Sequence, residues 1–288
     1  MNYYLTAVLL GLGFSALAYG IFISMRIFNI PDITTDGSFT LGGAVTAVLL
    51  TGSHQPVTAM FVSACAGFCA GTATGFIHAK MNVNALLSGI LVMTALYSVN
   101  LGIMGQPNIP IIGHETVFSY FGSSGSHVIH GILLAGLLIL LLGIILSWLL
   151  KTDFGLAMRA TGNNEAMMRS MGTSTSTMKV IGLGLANSLV AFSGSLVTQL
   201  QGFADINMGI GVVILGLGSV IIGEMILMFA GKTRIAWHLP GVVAGTLLFR
   251  ILLAMVLSWG VDPVYLKMVT AAVVLAAISL PAVRKLVL

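Results

Sequence analysis

VIHGILLAGLLILLLGIILSWLL, residues 128–150, runs for 23 positions without an Asp, Glu, Lys or Arg. A helix rises about 1.5 Å per residue and the hydrocarbon core of a bilayer is about 30 Å thick, so roughly 20 apolar residues cross it. The stretch therefore reads as a membrane-spanning helix. Working outward from it, apolar runs between polar punctuation recur near residues 4–25, 38–52, 57–79, 84–104, 179–201, 208–230, 238–259 and 264–283. The expected fold class is all-α: a polytopic transmembrane helical protein of about nine spans, with residues 1–288 forming one domain.

Composition points the same way. Of 288 residues 57% are hydrophobic and 7% charged, against about 25% charged in a soluble domain. So few charges cannot clothe a water-soluble surface. The 35 glycines suit helices that approach closely in lipid, where no hydrophobic force drives helices together. Cys65 and Cys69, four residues apart in an apolar run, read as small hydrophobes. The net charge of +4 comes from loop Lys and Arg and points to membrane topology, not to a nucleic-acid partner. The first 25 residues lack a basic n-region and a cleavage site followed by polar sequence, so they read as a retained span.

Orientation follows from the basic residues, because short cytoplasmic loops retain them. Arg26, then Lys80, then Lys151, Arg159, Arg169 and Lys179, then Lys232 with Arg234, then Arg284 with Lys285, fall at every second loop. This pattern puts the N-terminus outside and the C-terminus inside. Residues 105–127, rich in Gly, Pro and Ser, then form a partly ordered extracytoplasmic loop. Residues 151–178, basic and containing good helix formers, form a cytoplasmic docking segment.

The second span is short, and NIPDITTDGSFTLGG precedes and enters it. Pro31, Asp32, Asp36 and Gly37 would each be costly against lipid, and irregular backbone at membrane depth is tolerated only inside protein or beside a cavity. Residues 29–43 therefore read as a break in a discontinuous helix or a cytoplasmic-side turn next to a solute path, with a plain loop between two short helices as the alternative.

Catalytic chemistry is missing from the pattern. GKT at Gly231–Thr233 resembles the end of a phosphate-binding loop, but Ile226 stands where the required glycine would be and no strand precedes it. The six histidines are scattered, and no nucleophile with a base, and no metal-spaced set, assembles an enzyme site. No catalytic residue, metal site or cofactor of its own is expected. Glu224 and Arg250 lie inside apolar spans, where charge is expensive; a buried structural pair and a lining of the solute path are both open. Asp205 and Asn207 read as a polar cap at the outer end of a span. Gly67, Gly71 and Gly75 share one helix face and read as a packing seam.

GLAMRATGNNEAMMRSMGTSTSTMKVIGLGLANSLVAFSGSLVTQLQG, residues 155–202, resembles the permeases of bacterial ABC importers in the ribose and branched-chain amino acid class. That family's cytoplasmic loop reads roughly G-x-x-x-x-A-x-G-x-N-E-A with a glycine seven residues after the Glu. Gly155, Ala160, Gly162, Asn164, Glu165, Ala166 and Gly172 occupy these positions, and Met167 departs from the family's second alanine. PDITTDGSFTLGGAV at 31–45, VVILGLGSVIIG at 212–223 and YLKMVTAAVVLAAI at 265–278 resemble further family segments. Between Gly223 and Gly241 the chain looks longer than the ribose type, so nothing is carried over to Glu224.

The resemblance implies a mechanism. A short helix around Asn163, Asn164, Glu165, Ala166, Met167, Met168, Arg169 and Met171, ended by Gly172, would insert into a cleft on a separate ATPase subunit that holds ATP and Mg. Apart from the resemblance, the residues themselves make Asp32, Asp36, Gly37 and Ser38, with the intramembrane charges Glu224 and Arg250, the candidates for bordering the path. A homodimer of permeases, two ATPases and an extracytoplasmic solute-binding protein would complete the importer in the bacterial inner membrane. Lacking the ribose type's first span, the sequence looks most like the subgroup linked to amino-acid uptake, aromatic amino acids included. A sugar or nucleoside importer remains open, as does a self-sufficient secondary transporter or channel, although the inverted repeats usual in the latter are not evident.

Overall fold

The computed structural model describes residues 2–119, 127–229, 231 and 235–287. Its helices are α1 (Asn2–Ile21), α2 (Thr34–Thr51), α3 (Pro56–Ala79), α4 (Ala85–Met104), α5 (His127–Leu149), α6 (Asp153–Asn163), α7 (Glu165–Ser170), α8 (Thr175–Gln201), α9 (Val212–Phe229), α10 (Ile235–Ser258) and α11 (Leu266–Val287). Among the described residues seven helices are long and apolar enough to cross a membrane: α1 with its continuation to Ile27, then α3, α4, α5, α8, α9 and α10. Two expected spans fall short of that measure for different reasons. α2 carries Asp36 and the hydroxyls of Thr34, Thr35, Ser38 and Thr40, all buried in protein. α11 is described as an apolar stretch over Leu266–Ala277, and the side chains of residues 280–287 lie outside the described ones.

α8 is the axis of the bundle. Its 27 residues make a rod of about 40 Å, packed by α1, α2 and α3. Small residues bring the neighbours to backbone contact. A Cβ on Gly75 of α3 would sit 2.6 Å from the Val180 Cα, and one on Gly71 or Gly67 would collide with the carbonyl oxygen of Leu183 or Asn187. Gly42 and Gly194 do the same between α2 and α8, against Ala191 and Phe39. With lipid as solvent, this dispersion contact is what makes helices prefer each other to acyl chains.

The helix ends are closed locally. Asn84 caps α4 by accepting from the Leu86 N–H at 2.9 Å. Gly105 and Gly202 end α4 and α8 with φ of 67° and 81°, the left-handed conformation that glycine adopts without cost.

Three features depart from the sequence reading. The break between the first two helices is short: α1 widens into a π-helical segment, Phe22–Ile27, and only residues 28–33 lie outside regular structure before α2 begins at Thr34. Residues 34–43 are helical because Gly37, Gly42 and Gly43 are sites of close packing, not of irregular backbone. The second departure is a two-stranded antiparallel ribbon in an otherwise helical molecule. β1 (Asn108–Pro110) pairs with β2 (Phe203–Asp205) in the register Asn108 to Asp205, Ile109 to Ala204 and Pro110 to Phe203. Ile109, Ile111, Ala204 and Ile206 turn inward onto Ala44, Ala47 and Leu50 of α2, so part of the loop expected over 105–127 is pinned to the bundle; residues 120–126 lie outside the described residues. Third, the span expected from 208 begins at Val212, because residues 206–211 form a turn that folds back against α2.

These features give the bundle two distinct ends. α6 and α7 sit at the N-terminal end of α8, and the ribbon sits at its C-terminal end.

Candidate functional site

The segment expected to dock a partner is a pair of short helices joined at one residue. Thr152 opens α6 by accepting from the Gly155 N–H at 3.3 Å. Asn164, extended at φ −151° and ψ 94°, ends α6, and its side chain opens α7 by accepting from the Met167 N–H at 3.0 Å. α7 stops at Met171, and Gly172 follows with φ +82°. No atom lies within 4 Å of where a Gly172 Cβ would be, so glycine is needed there for backbone conformation and not for space.

Glu165 ties α7 to α8. Lys179 Nζ donates to Oε2 at 2.6 Å, while Arg169 Nη2 and Thr175 Oγ1 donate to Oε1 at 2.5 and 3.1 Å. The Lys179 hydrogen bond above all, helped by those of Arg169 and Thr175 and by the Lys179 charge, holds the Glu165 carboxyl down to about 2, from an ordinary value near 4.5. Met168 is buried beneath the helix. Met167 and Met171 are 57% and 67% exposed, and Asn163, Ala166 and Ser170 are exposed beside them. Gly162 packs on the Ile27 carbonyl and Gly182 of α8 on the Phe28 ring, so the π-helical segment is clamped between α6 and α8. A cavity of about 490 Å³ opens here between Phe22, Arg26, Arg159, Asn163 and His238.

The two acids assigned to a path are held by helix ends. Asp32, 3% exposed, accepts from the Thr34 N–H at 2.9 Å and from Asn187 Nδ2 at 2.7 Å. It thereby caps α2 and fixes that cap to α8. Since Asn187 lies twelve residues into α8, α2 begins roughly 18 Å along the rod, deep inside the bundle. Asp36 caps a different helix: its oxygens accept from the N–H groups of Gly211 and Val213, both at 2.9 Å, at the start of α9. An acid there complements the positive helix N-terminus. Gly37 packs against Leu96, and its carbonyl accepts from Asn100 Nδ2 at 3.2 Å. Ser38 is fully buried with no partner for Oγ among the described residues.

The intramembrane charges do not pair with each other. Glu224 meets Arg26 at 2.7 Å, joining α9 to the π-helical segment. Arg250 lies 3.8 Å from the centroid of the Phe14 ring, a cation–π contact, and its Nε has no hydrogen-bond partner among the described residues. Asp205 belongs to β2, where it accepts from the Asn207 N–H and from Asn108 Nδ2. Lys232, Arg234 and most of the GKT tripeptide lie outside the described residues. No group of three potential metal ligands converges among those described.

The sequence reading missed every long-range partner: Asn187 for Asp32, the α9 N-terminus for Asp36, Lys179 for Glu165. Asn187 carried a signal, being a polar side chain in the middle of an apolar run.

A family model described as branched-chain amino acid transport system / permease component matches residues 3–278. The chain belongs to this permease family. A tyrosine transport system permease protein of Clostridioides difficile is 37% identical over 265 residues, 92% of this chain and 86% of the relative. An uncharacterized protein of Rickettsia prowazekii is 35% identical over 282 residues, covering 97% and 98% of the two chains. More distantly, the ribose import permease protein of Escherichia coli K12 is 26% identical over 250 residues, 86% of this chain and 75% of the relative. No solved structure matches. The protein is thus the permease component of an ABC transport system, a multi-pass membrane protein of the bacterial inner membrane, and the relatives whose function is named are permeases of transport systems.

Proposed function

We propose that this permease forms the solute path of an ATP-driven amino-acid importer and takes its power stroke through α7 from a separate ATPase. The observation that carries the reading is the contrast within α7. Glu165, Asn164 and Met168 fix its base, while Met167, Met171 and Ala166 stand exposed next to them. An exposed pair of methionines on a locked six-residue helix suits insertion into an apolar cleft, since thioethers adapt to irregular surfaces. Ordering such a contact is cheap because the helix is already formed.

The force would then pass from element to element. Glu165 to Lys179 links α7 to α8, Gly162 presses α6 on the π-helical segment, and Glu224 to Arg26 carries that segment to α9. Residues 151–178 would lie in the cytoplasm as the coupling segment of a single transmembrane domain, with nine helices in the membrane, the N-terminus outside and the C-terminus inside. The opposite end, with the β ribbon and residues 105–127, would face a solute-binding protein. Two copies of the chain with two ATPases would make the working unit, ATP and Mg being held by the ATPases. Asp32, Asp36, Gly37 and Ser38 would border the path as the caps and packing that shape it. Greater likeness to the tyrosine permease than to the ribose permease favours an amino acid as cargo.

Copurification of the permease with its ATPase, followed by ATP hydrolysis in proteoliposomes, checks this. Met167→Glu with Met171→Glu is expected to lower solute-stimulated hydrolysis at least tenfold while the permease still folds. Solute uptake by the chain alone, without ATP, would sink the importer reading.

A further inference from the structure

Most of the twelve Lys and Arg residues stand in the polar punctuation between apolar runs of the sequence. Arg250 and Lys267 instead stand within apolar runs, and they meet at one cavity. It measures about 340 Å³ and lies between α1, α9, α10 and α11, with Ala7, Leu10, Leu215 and Leu253 in its wall. That volume falls within the range of about 300–1,000 Å³ typical of small-molecule sites.

The two cations lack anions. All eight acidic side chains are described, and none is in ion-pair contact with Arg250 or Lys267. Arg250 Nε is occluded with no hydrogen-bond partner, and the ring of Phe14 covers one face of the guanidinium. Lys267 is close enough to act on the Asp36 carboxylate, but both Asp36 oxygens already accept from the start of α9. Two cations against one carboxylate leave one positive charge uncompensated inside an apolar wall. Such a charge is costly unless an anion completes it.

We infer that this cavity is an oxyanion subsite: Arg250 and Lys267 receive one singly charged oxyanion, and the apolar wall receives the body attached to it. The carboxylate of a transported amino acid and the phosphodiester of an anionic lipid both offer that chemistry. The first source rests on the amino-acid reading above; the second does not. The guanidinium fork can donate two parallel hydrogen bonds to a carboxylate, as an ammonium cannot.

The test uses the full-length permease in detergent, with unfolding temperature read by intrinsic fluorescence against L-tyrosine, tyramine and phosphatidylglycerol. L-tyrosine or phosphatidylglycerol is expected to raise the unfolding temperature, whichever does so naming the source, and tyramine, without a carboxylate, to leave it unchanged. Arg250→Met should weaken the response about 30-fold or more, and without ligand it should unfold no earlier than the parent, because it removes an unpaired charge. Lys267→Gln, at an exposed position, should weaken it about tenfold and carries the comparison if Arg250→Met does not fold. The subsite is overturned if neither anion stabilises the parent, or if both variants respond as the parent does. That failure would leave ATP-dependent uptake intact, whereas failure of the importer reading would show as uptake without ATP.

Discussion

The seam between α3 and α8 and the junction between α7 and α8 join the same rod by opposite means. At the seam, Gly67, Gly71 and Gly75 bring α3 onto the backbone of α8 with no charge involved. At the junction, three donors converge on Glu165, and beyond it Gly172 stands in open space. Backbone contact is rigid, since any added atom must displace the partner helix. Charged contacts at a wet end are adjustable and can be remade in a new geometry. The chain places the first kind where helices must stay together and the second where a moving partner would engage.

Gly71→Leu attacks the seam and should have the largest effect. Its first added carbon would collide with the Leu183 carbonyl, a backbone atom that yields only if the helices separate. A cost of about 3 kcal/mol or more is expected, read as a fall in unfolding temperature and in the monodisperse fraction on size exclusion. An unchanged unfolding temperature would mean that α3 and α8 are not rigidly seated.

Gly172→Ala sharpens the other side. Space is free, so the only cost is backbone: about 1–2 kcal/mol for a Cβ at positive φ. Because α7 ends there, the strain should be local, unwinding its last turn without lowering global stability by that amount. The expected outcome is a small change in unfolding temperature with a several-fold loss of solute-stimulated ATP hydrolysis in the assembled system. Equal losses in both would show that the junction is as rigid as the seam.

How much of this was legible in the sequence follows the same division. Local features were readable: apolar runs of spanning length, the Gly67, Gly71 and Gly75 spacing, the good helix formers within 151–178, where the resemblance implied the short helix before Gly172. Each depends on neighbours in the chain. The neighbours of Asp32, Asp36, Glu224 and Arg250 were not readable, because a buried polar side chain meets whatever the fold brings near, here Asn187, the α9 N-terminus, Arg26 and the Phe14 ring. The β ribbon escaped for the same reason: three-residue strands carry no periodicity, and their pairing joins loops almost a hundred residues apart. The break was overextended to residue 43 because glycine in a run with Asp and Pro looks like loop, whereas Gly42 and Gly43 are helical packing positions against α8 and Met208.

The smallest effect tests the electrostatic half by itself. The folded Glu165 carboxyl titrates near 2, below its ordinary value of about 4.5. A lowered pKa means that the ionised form is favoured by folding, so its contribution is fully present above pH 4.5, falls away below that, and is gone below pH 2. With the Glu165 side chain a third exposed, water screens the contacts and the amount is under about 1 kcal/mol. The difference in unfolding temperature between the parent and Glu165→Gln should therefore be constant from pH 8 to pH 5 and shrink from pH 4.5 to pH 3. The Gly71→Leu difference, which involves no titrating group, should not change over that range. If the Glu165→Gln difference persisted undiminished at pH 3, shape and not charge would hold α7 to α8, and the two joints on the rod would be of one kind.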